Sequence, residues 1–464
     1  MDEKGCNTQD EDAEKLAQMG YTPELLRNFS VWSLLAVGFS ITNSWYGITT
    51  AMITGIVSGG PVVIIYGILL IGCVSLCVGI SLSELSSAFP NSGGQYFWTR
   101  QLAPQKYSRV LSYLTGSLGW AGAVFASAST ALGIAQAIVG IYIVIKPWMN
   151  FVAYQLINSV AFIFNLYEKG LPVIIWISLA SVSVITITVV SVSHPKQQTR
   201  EVFRNFKNET GWESNVVTFI LGLINVNWAF SCLDAATHMA EEIPQPERNV
   251  PKALIGTVFI GMASAFFYSV TMFFSTKDIV SVIDTPTGFP AVELYYQALG
   301  ARGGAVIMGC MVVVTGVGCL IAVHTWQSRL MWSFARDGGF VKSSVLSRIH
   351  PTLGVPVNAH IASNGIVAIL GCLYLASSTA FNSMVVGTIV FLYLSYSVPI
   401  VCMLARGRES VPHGPFWLGK WGQLANYVTL FWTMWTLVFY NFPFRYPARG
   451  DSMSKGVLSV TNLK

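Results

Sequence analysis

Residues 28–83 form a run of 56 positions without a single Asp, Glu, Lys or Arg, and residues 357–405 form a second run of 49. Shorter charge-free runs cover 171–193 (23 residues) and 253–276 (24 residues). A helix crosses a bilayer with about 20 mostly apolar residues. Each long run therefore holds two crossings joined by a turn, Ser58-Gly59-Gly60-Pro61 in the first and Ser377-Ser378-Thr379 in the second. Strands of a membrane barrel would alternate in polarity over segments of about 10 residues, and these runs do not. The chain is read as an all-α polytopic membrane protein. Composition agrees: 11% of the 464 residues are charged, against about 25% in soluble domains, and mean hydropathy is +0.55.

Eleven spans are expected, at about 30–57, 62–86, 110–140, 150–167, 171–193, 215–237, 253–275, 303–328, 358–376, 382–404 and 424–442. With the N-terminus inside, cytosolic segments carry sixteen Lys and Arg, and the outer loops before the last span carry seven. The positive-inside rule favours that orientation. It places the sequon Asn208-Glu209-Thr210 outside, where Asn208 is a glycosylation candidate. The sequon at Asn28 falls at the cytosolic edge and is expected to be silent. The start, MDEKGCNTQDEDAEKLAQMG, is acidic and lacks the basic flank and cleavage site of a signal peptide. The expected division is a disordered cytosolic tail (1–28), a transmembrane domain (29–442) and a short C-terminal tail (443–464). The net charge of +5 belongs to loops and implies no nucleic-acid partner.

Two spans look broken. The first reads LLAVGFSITNSWYGITTAMITG, with Ser40, Thr42, Asn43, Ser44, Tyr46, Gly47, Thr49 and Thr50 interrupting it. The sixth reads FILGLINVNWAFSCLDAATHMAEEI, interrupted by Asn225, Asn227, Ser231 and Asp234. Small polar residues also serve as packing glue between membrane helices. Irregular backbone at membrane depth, however, survives only where it is buried in protein or lines a cavity, and two breaks five helices apart point to a site.

Asp234 lies deep in its span, where a charge costs at least about 2.5–3.5 kcal/mol unless it faces a cavity or partner. His238, Glu241 and Glu242 follow near the cytosolic end, where the plain reading is an interfacial, solvated helix end. Pro244, Pro246 and Pro251 forbid a continuous helix there, with Asn249 able to cap the next. Glu84 closes the second span in SLSELSSAFPNSGGQYFW, reaching the headgroups or pairing with Arg329 at the end of the eighth. No HExxH or third ligand accompanies His238 and Glu241, so no metal and no cofactor are expected. The eight cysteines contain no CxxC and are expected to pack as small apolar residues.

The stretches GLINVNWAFSCLDAATHMAEEIPQPERNVPKAL, SLSELSSAFPNSGGQYFW and SRLMWSFARDGG resemble the fungal amino acid/choline permeases of the amino acid–polyamine–organocation superfamily, over about residues 25–445. The resemblance implies a LeuT-like core of five plus five inverted helices (about 29–405), an extra helix at 424–442, and a twelfth span that this chain lacks. It implies alternating access, commonly proton-driven, with a small-molecule amine or amino acid as cargo and membrane lipid around it. By position, the substrate site would comprise Asn43, Ser44, Trp45, Tyr46 and Gly47 with Trp228, Ala229, Phe230, Ser231, Cys232, Leu233 and Asp234. Glu84, Asp234, His238, Glu241, Glu242 and Arg329 would gate or couple.

Where α-amino-acid carriers place a glycine-rich turn for the substrate carboxylate, this chain has Asn43-Ser44-Trp45. Trp45, Tyr46, Trp228 and Phe230 suit a quaternary ammonium instead, each cation–π contact worth roughly 0.5–2 kcal/mol. Choline is thus expected ahead of ordinary amino acids, with γ-aminobutyrate a rival. The fifth span holds no Lys, so a lysine-based coupling site is absent from it. A non-transporting nutrient sensor of the same fold is the alternative, disfavoured by the short N-terminal extension. No GxSxG, HExxH or filter-like repeat supports an enzyme or a channel.

Overall fold

The computed structural model describes residues 12, 14–22, 24, 30–141, 147–167, 171–285, 289–376 and 380–447. The turn expected at 377–379, the sequon at Asn28 and the chain after 447 lie outside the described residues. Among the described residues there is helix and loop but no strand. Eight segments are long and apolar enough to cross a membrane. The other three expected spans are also helical, for reasons visible in their sequences.

The first span is two helices, α1 (Val31–Thr42) and α2 (Ser44–Val57), each too short to cross alone. Next come α3 (Pro61–Ala88), the short inner helix α4 (Gln95–Leu102), α5 (Ser108–Ile141), α6 (Pro147–Tyr167) and α7 (Leu171–Val192). The sixth span is α8 (Asn215–Trp228), a break, and a 3-10 helix, Leu233–Glu242. Beyond it run α9 (Pro246–Ser275), α10 (Pro290–Leu299), α11 (Arg302–Arg336), α12 (Val357–Gly371), α13 (Ala380–Arg406) and α14 (Lys420–Phe439). Helix α12 has only 15 residues. Helix α14 carries a polar stripe of Asn426, Thr429, Thr433 and Thr436, buried where it packs on α3 and α13.

Outer helices present apolar side chains outward, such as Leu156, Ile163 and Phe164 on α6 and Val173 and Trp176 on α7. That is the arrangement expected where lipid is the solvent. The broken pieces sit inside this shell: α1 and α2 pack on α9 and α11, and the 3-10 helix packs on α1, α3, α9 and α11.

Helix α9 starts at Pro246, with Gln245 at the N-cap, seven residues before the expected start at 253. Asn249 is not its cap; its amide donates to the Pro244 carbonyl at 2.7 Å. Pro251 lies inside the helix. Its missing N–H would orphan the Glu247 carbonyl, and the Ser87 hydroxyl of α3 donates to that oxygen at 2.8 Å.

Part of the N-terminal segment is described, at residues 12, 14–22 and 24. Residues 14–18 are helical, Leu16 is buried, and Lys15 Nζ lies 2.7 Å from Glu247. The Gln245 N–H donates to Asp12 at 3.0 Å.

Candidate functional site: a cavity at two helix breaks

Three described non-glycine residues adopt positive φ: Asn43 (34°), Cys232 (63°) and Gln245 (47°). Each lies at an end of a broken helix piece. L-residues pay for this conformation, asparagine least, and such outliers concentrate at functional sites. At Asn43 the interruption is a single residue. Its N–H still reaches Phe39 O (2.7 Å), and its carbonyl still accepts from Gly47 N–H (3.0 Å). The break in the sixth span is longer: Ala229 to Cys232 leave the helix, and Ser231 Oγ turns back to Asn227 O at 3.0 Å.

The two breaks touch. A Cβ on Gly47 would stand 2.8 Å from both Cα and Cβ of Ala229, so only glycine permits this approach. Between them lies a cavity of about 20 Å³, space for little more than one water. Its walls are Ile41, Thr42, Tyr46 and Gly47 of the first span, and Trp228, Ala229, Ser231 and Cys232 of the sixth. Ala126 and Thr130 of α5 and Cys319 and Val323 of α11 close it. No charged side chain is among these lining residues. The C-terminal ends of α1 and α8 and the N-terminal ends of α2 and the 3-10 helix all meet here, so helix-end charges of both signs border the cavity. Trp228 Nε1 donates to Ser129 Oγ at 3.1 Å, fixing the indole. The buried Tyr46 hydroxyl has no hydrogen-bond partner among the described residues.

Six of the sequence-derived substrate residues thus line the cavity: Tyr46, Gly47, Trp228, Ala229, Ser231 and Cys232. Others point elsewhere. Trp45 is fully buried, donates to Ser178 of α7 at 2.9 Å and packs on Tyr268 of α9. Ser178 in turn donates to Asn43 Oδ1 at 3.1 Å. Ser44 and Phe230 lie against Gly261 of α9. The wall residues from α5 and α11 had no polar signature by which sequence alone could single them out.

Asp234 stands below the cavity, fully buried. Tyr396 of α13 donates to its Oδ1 at 2.6 Å, and His238 Nε2 lies 3.2 Å from its Oδ2. The other ring nitrogen, Nδ1, is 2.8 Å from the Ser92 carbonyl. A carbonyl oxygen can only accept, so Nδ1 carries a hydrogen. Nε2 then faces a carboxylate, and that contact is a hydrogen bond only if the pair holds one more proton, on the imidazole or on the carboxyl. Asp234 and His238 together form a buried carboxyl–imidazole pair.

The next turn carries two bidentate ion pairs, both buried. Arg329 of α11 grips Glu242 through Nε (2.8 Å) and Nη2 (3.1 Å). Arg336 grips Glu241 at 2.9 and 2.8 Å. These acids are not a solvated helix end. Arg336 is sandwiched by Tyr21 (4.4 Å) and Trp332 (4.5 Å), and the Tyr21 hydroxyl donates to Asp337 at 2.9 Å. Burial, and then the Asp337 carboxylate, push the Tyr21 phenol well above its usual range. The two ion pairs join the 3-10 helix to α11, with Tyr21 of the N-terminal segment laid across the second.

Glu84 is not paired with Arg329 and does not reach headgroups. It is fully buried against Arg408, 2.9 Å away, and accepts the Leu418 N–H at 2.9 Å. Their sequence separation of 324 positions left no local signal. The loop sequon is ordered: the Asn208 amide donates to Trp212 O at 2.7 Å, and Thr210 Oγ1 donates to Asn208 Oδ1 at 2.8 Å.

A family model described as amino acid permease matches residues 29–459. The chain is 49% identical to a choline transporter of Saccharomyces cerevisiae over 441 residues, 93% of this chain and 78% of that one. It is 38% identical to a swainsonine transporter of Arthroderma benhamiae, covering 89% of this chain and 84% of the relative. An amino-acid permease of Arabidopsis thaliana is 30% identical, with 97% and 92% covered.

Proposed function

The chain belongs to the amino acid permease family, as a multi-pass integral membrane permease, and from that premise we propose that it carries choline or a closely related quaternary amine by proton-coupled alternating access. The observation that carries this reading is the cavity. It has two aromatic walls, Tyr46 and Trp228, and no charged side chain among its lining residues. A permanently charged trimethylammonium group makes no hydrogen bonds and gains from aromatic faces. The free Tyr46 hydroxyl suits the alcohol end of choline. The choline transporter among the similar proteins supports the same cargo.

Asp234 and His238 are the proposed coupling unit, one turn from the break that borders the cavity, and Glu241–Arg336 and Glu242–Arg329 are the inner gate. In the resting geometry both pairs are closed and the cavity is too small for choline, so loading requires the outer half to open. The plasma membrane is the expected location, consistent with uptake from outside.

The test is uptake of labelled choline, γ-aminobutyrate and several amino acids into yeast lacking its own permeases, with and without an inward proton gradient. Saturable choline uptake that rises with external acidity is expected. Asp234→Asn should retain choline exchange but lose gradient-driven accumulation. Amino-acid uptake without choline uptake would refute the cargo; accumulation indifferent to the gradient would refute the coupling. Choline binding without uptake, at normal surface delivery, would identify a sensor.

A further inference from the structure

Two thiols face the central cavity, Cys232 from the sixth-span break and Cys319 from α11. Cys232 lies in a helix interruption, and Cys319 faces the other one from an unbroken helix. Cys232 is the left-handed residue that starts the 3-10 helix. Cys319 Sγ donates to the carbonyl of Ile41 at 3.4 Å, in the last turn before the Asn43 break. Both are buried. A third group points to a ligand in the same space, the buried Tyr46 hydroxyl with no partner among the described residues. By contrast, Cys73, Cys310 and Cys372 are exposed, on helices whose outward faces are lipid-facing.

We infer that Cys232 and Cys319 make the transport cavity a covalent modification site for small thiol-reactive electrophiles bearing a cationic head, and that such reagents and the cargo exclude one another. The inference rests on the reading of this cavity as the cargo site. The aromatic faces of Tyr46 and Trp228 attract a cationic reagent. The walls are too close for a reagent and a cargo molecule to share the space. A thiol bound there would also lose its hydrogen bond to Ile41 O or displace the strained backbone at Cys232, so the adduct blocks the carrier rather than riding with it.

The probe is 2-(trimethylammonio)ethyl methanethiosulfonate, a choline-sized cation. The thiol releases its proton to solvent, and its sulfur attacks the probe's sulfenyl sulfur. A new S–S bond forms, the S–SO₂ bond breaks, and methanesulfinate leaves with the bonding pair. No further oxidant is needed.

The experiment uses the unmodified full chain in sealed membrane vesicles, with adducts located by peptide mass spectrometry. Labelling of Cys232 or Cys319 is expected, and choline at about a hundred times its half-saturating level should slow it about a hundredfold by simple competition. Cys232→Ser and Cys319→Ser, alone and together, then assign the reacting sulfur. Labelling slowed by another amine but not by choline would uphold the thiol site and refute the choline reading. No labelling of either cysteine, or labelling that no transported compound slows, would overturn the inference whatever the uptake assays show.

Discussion

Glu242→Gln is the substitution whose effect is best worked from the structure. The Glu242 carboxylate and the Arg329 guanidinium are 6% and 1% exposed and share two hydrogen bonds. Removing one partner of a buried pair leaves the other charge without its counter-ion, at a cost of about 3–5 kcal/mol. Glutamine keeps the shape and one acceptor, so the lower end, about 3 kcal/mol, applies. That penalty falls only on the state with the inner gate closed, because Arg329 meets water once the gate parts. The outward-facing state, which needs the closed inner gate, should lose about two orders of magnitude in population relative to the inward-open one. Apparent affinity for external cargo weakens in proportion to the competent fraction. The half-saturating external concentration should therefore rise by up to about a hundredfold, with surface delivery unchanged. Kinetics in oriented vesicles measures it. A double-mutant cycle with Arg329→Gln supplies the control, since removing both charges together should cost much less than the two single losses added. Wild-type half-saturation in Glu242→Gln, or strict additivity in the cycle, would refute the gate assignment.

The two tryptophans of the breaks should separate cleanly. Trp228→Ala removes a cavity wall and should raise the half-saturating concentration by about 2- to 30-fold, the equivalent of one cation–π contact of roughly 0.5–2 kcal/mol. Trp45→Ala instead empties a packed site between α7 and α9, a loss of about 3–5 kcal/mol, and should show first as reduced surface delivery on a tagged carrier. Gly47→Ala drives a methyl into Ala229; uptake should fall at least tenfold, and normal uptake would show that the two breaks do not meet in the working cycle.

Much of this architecture was legible in the residues. Eight of the expected spans are helices long and apolar enough to cross a membrane, and the other three are helical but shorter, interrupted or more polar. Both breaks were visible from Asn43 and from the Ser231–Asp234 stretch, since such residues compete with helical hydrogen bonding. Direction was not. Trp45 and Tyr46 are neighbours in sequence but about 100° apart around the helix, so one faces α7 and α9 and the other the cavity. The walls from α5 and α11 are small or apolar and look like any packed helix. Long-range partners such as Glu84 with Arg408 leave no trace in a single chain. The acidic composition of the N-terminal segment is that of a solvated tail and gave no hint that Leu16 is buried and Tyr21 packs on Phe97.

The interruption of two helices beside an uncharged cavity has a consequence for descent. The cavity is opened by the backbone at the two breaks, while the walls that judge size and shape are single side chains, each open to replacement. A lineage built this way keeps the cavity as a property of the fold. It can alter the walls one residue at a time without dismantling the breaks that form them.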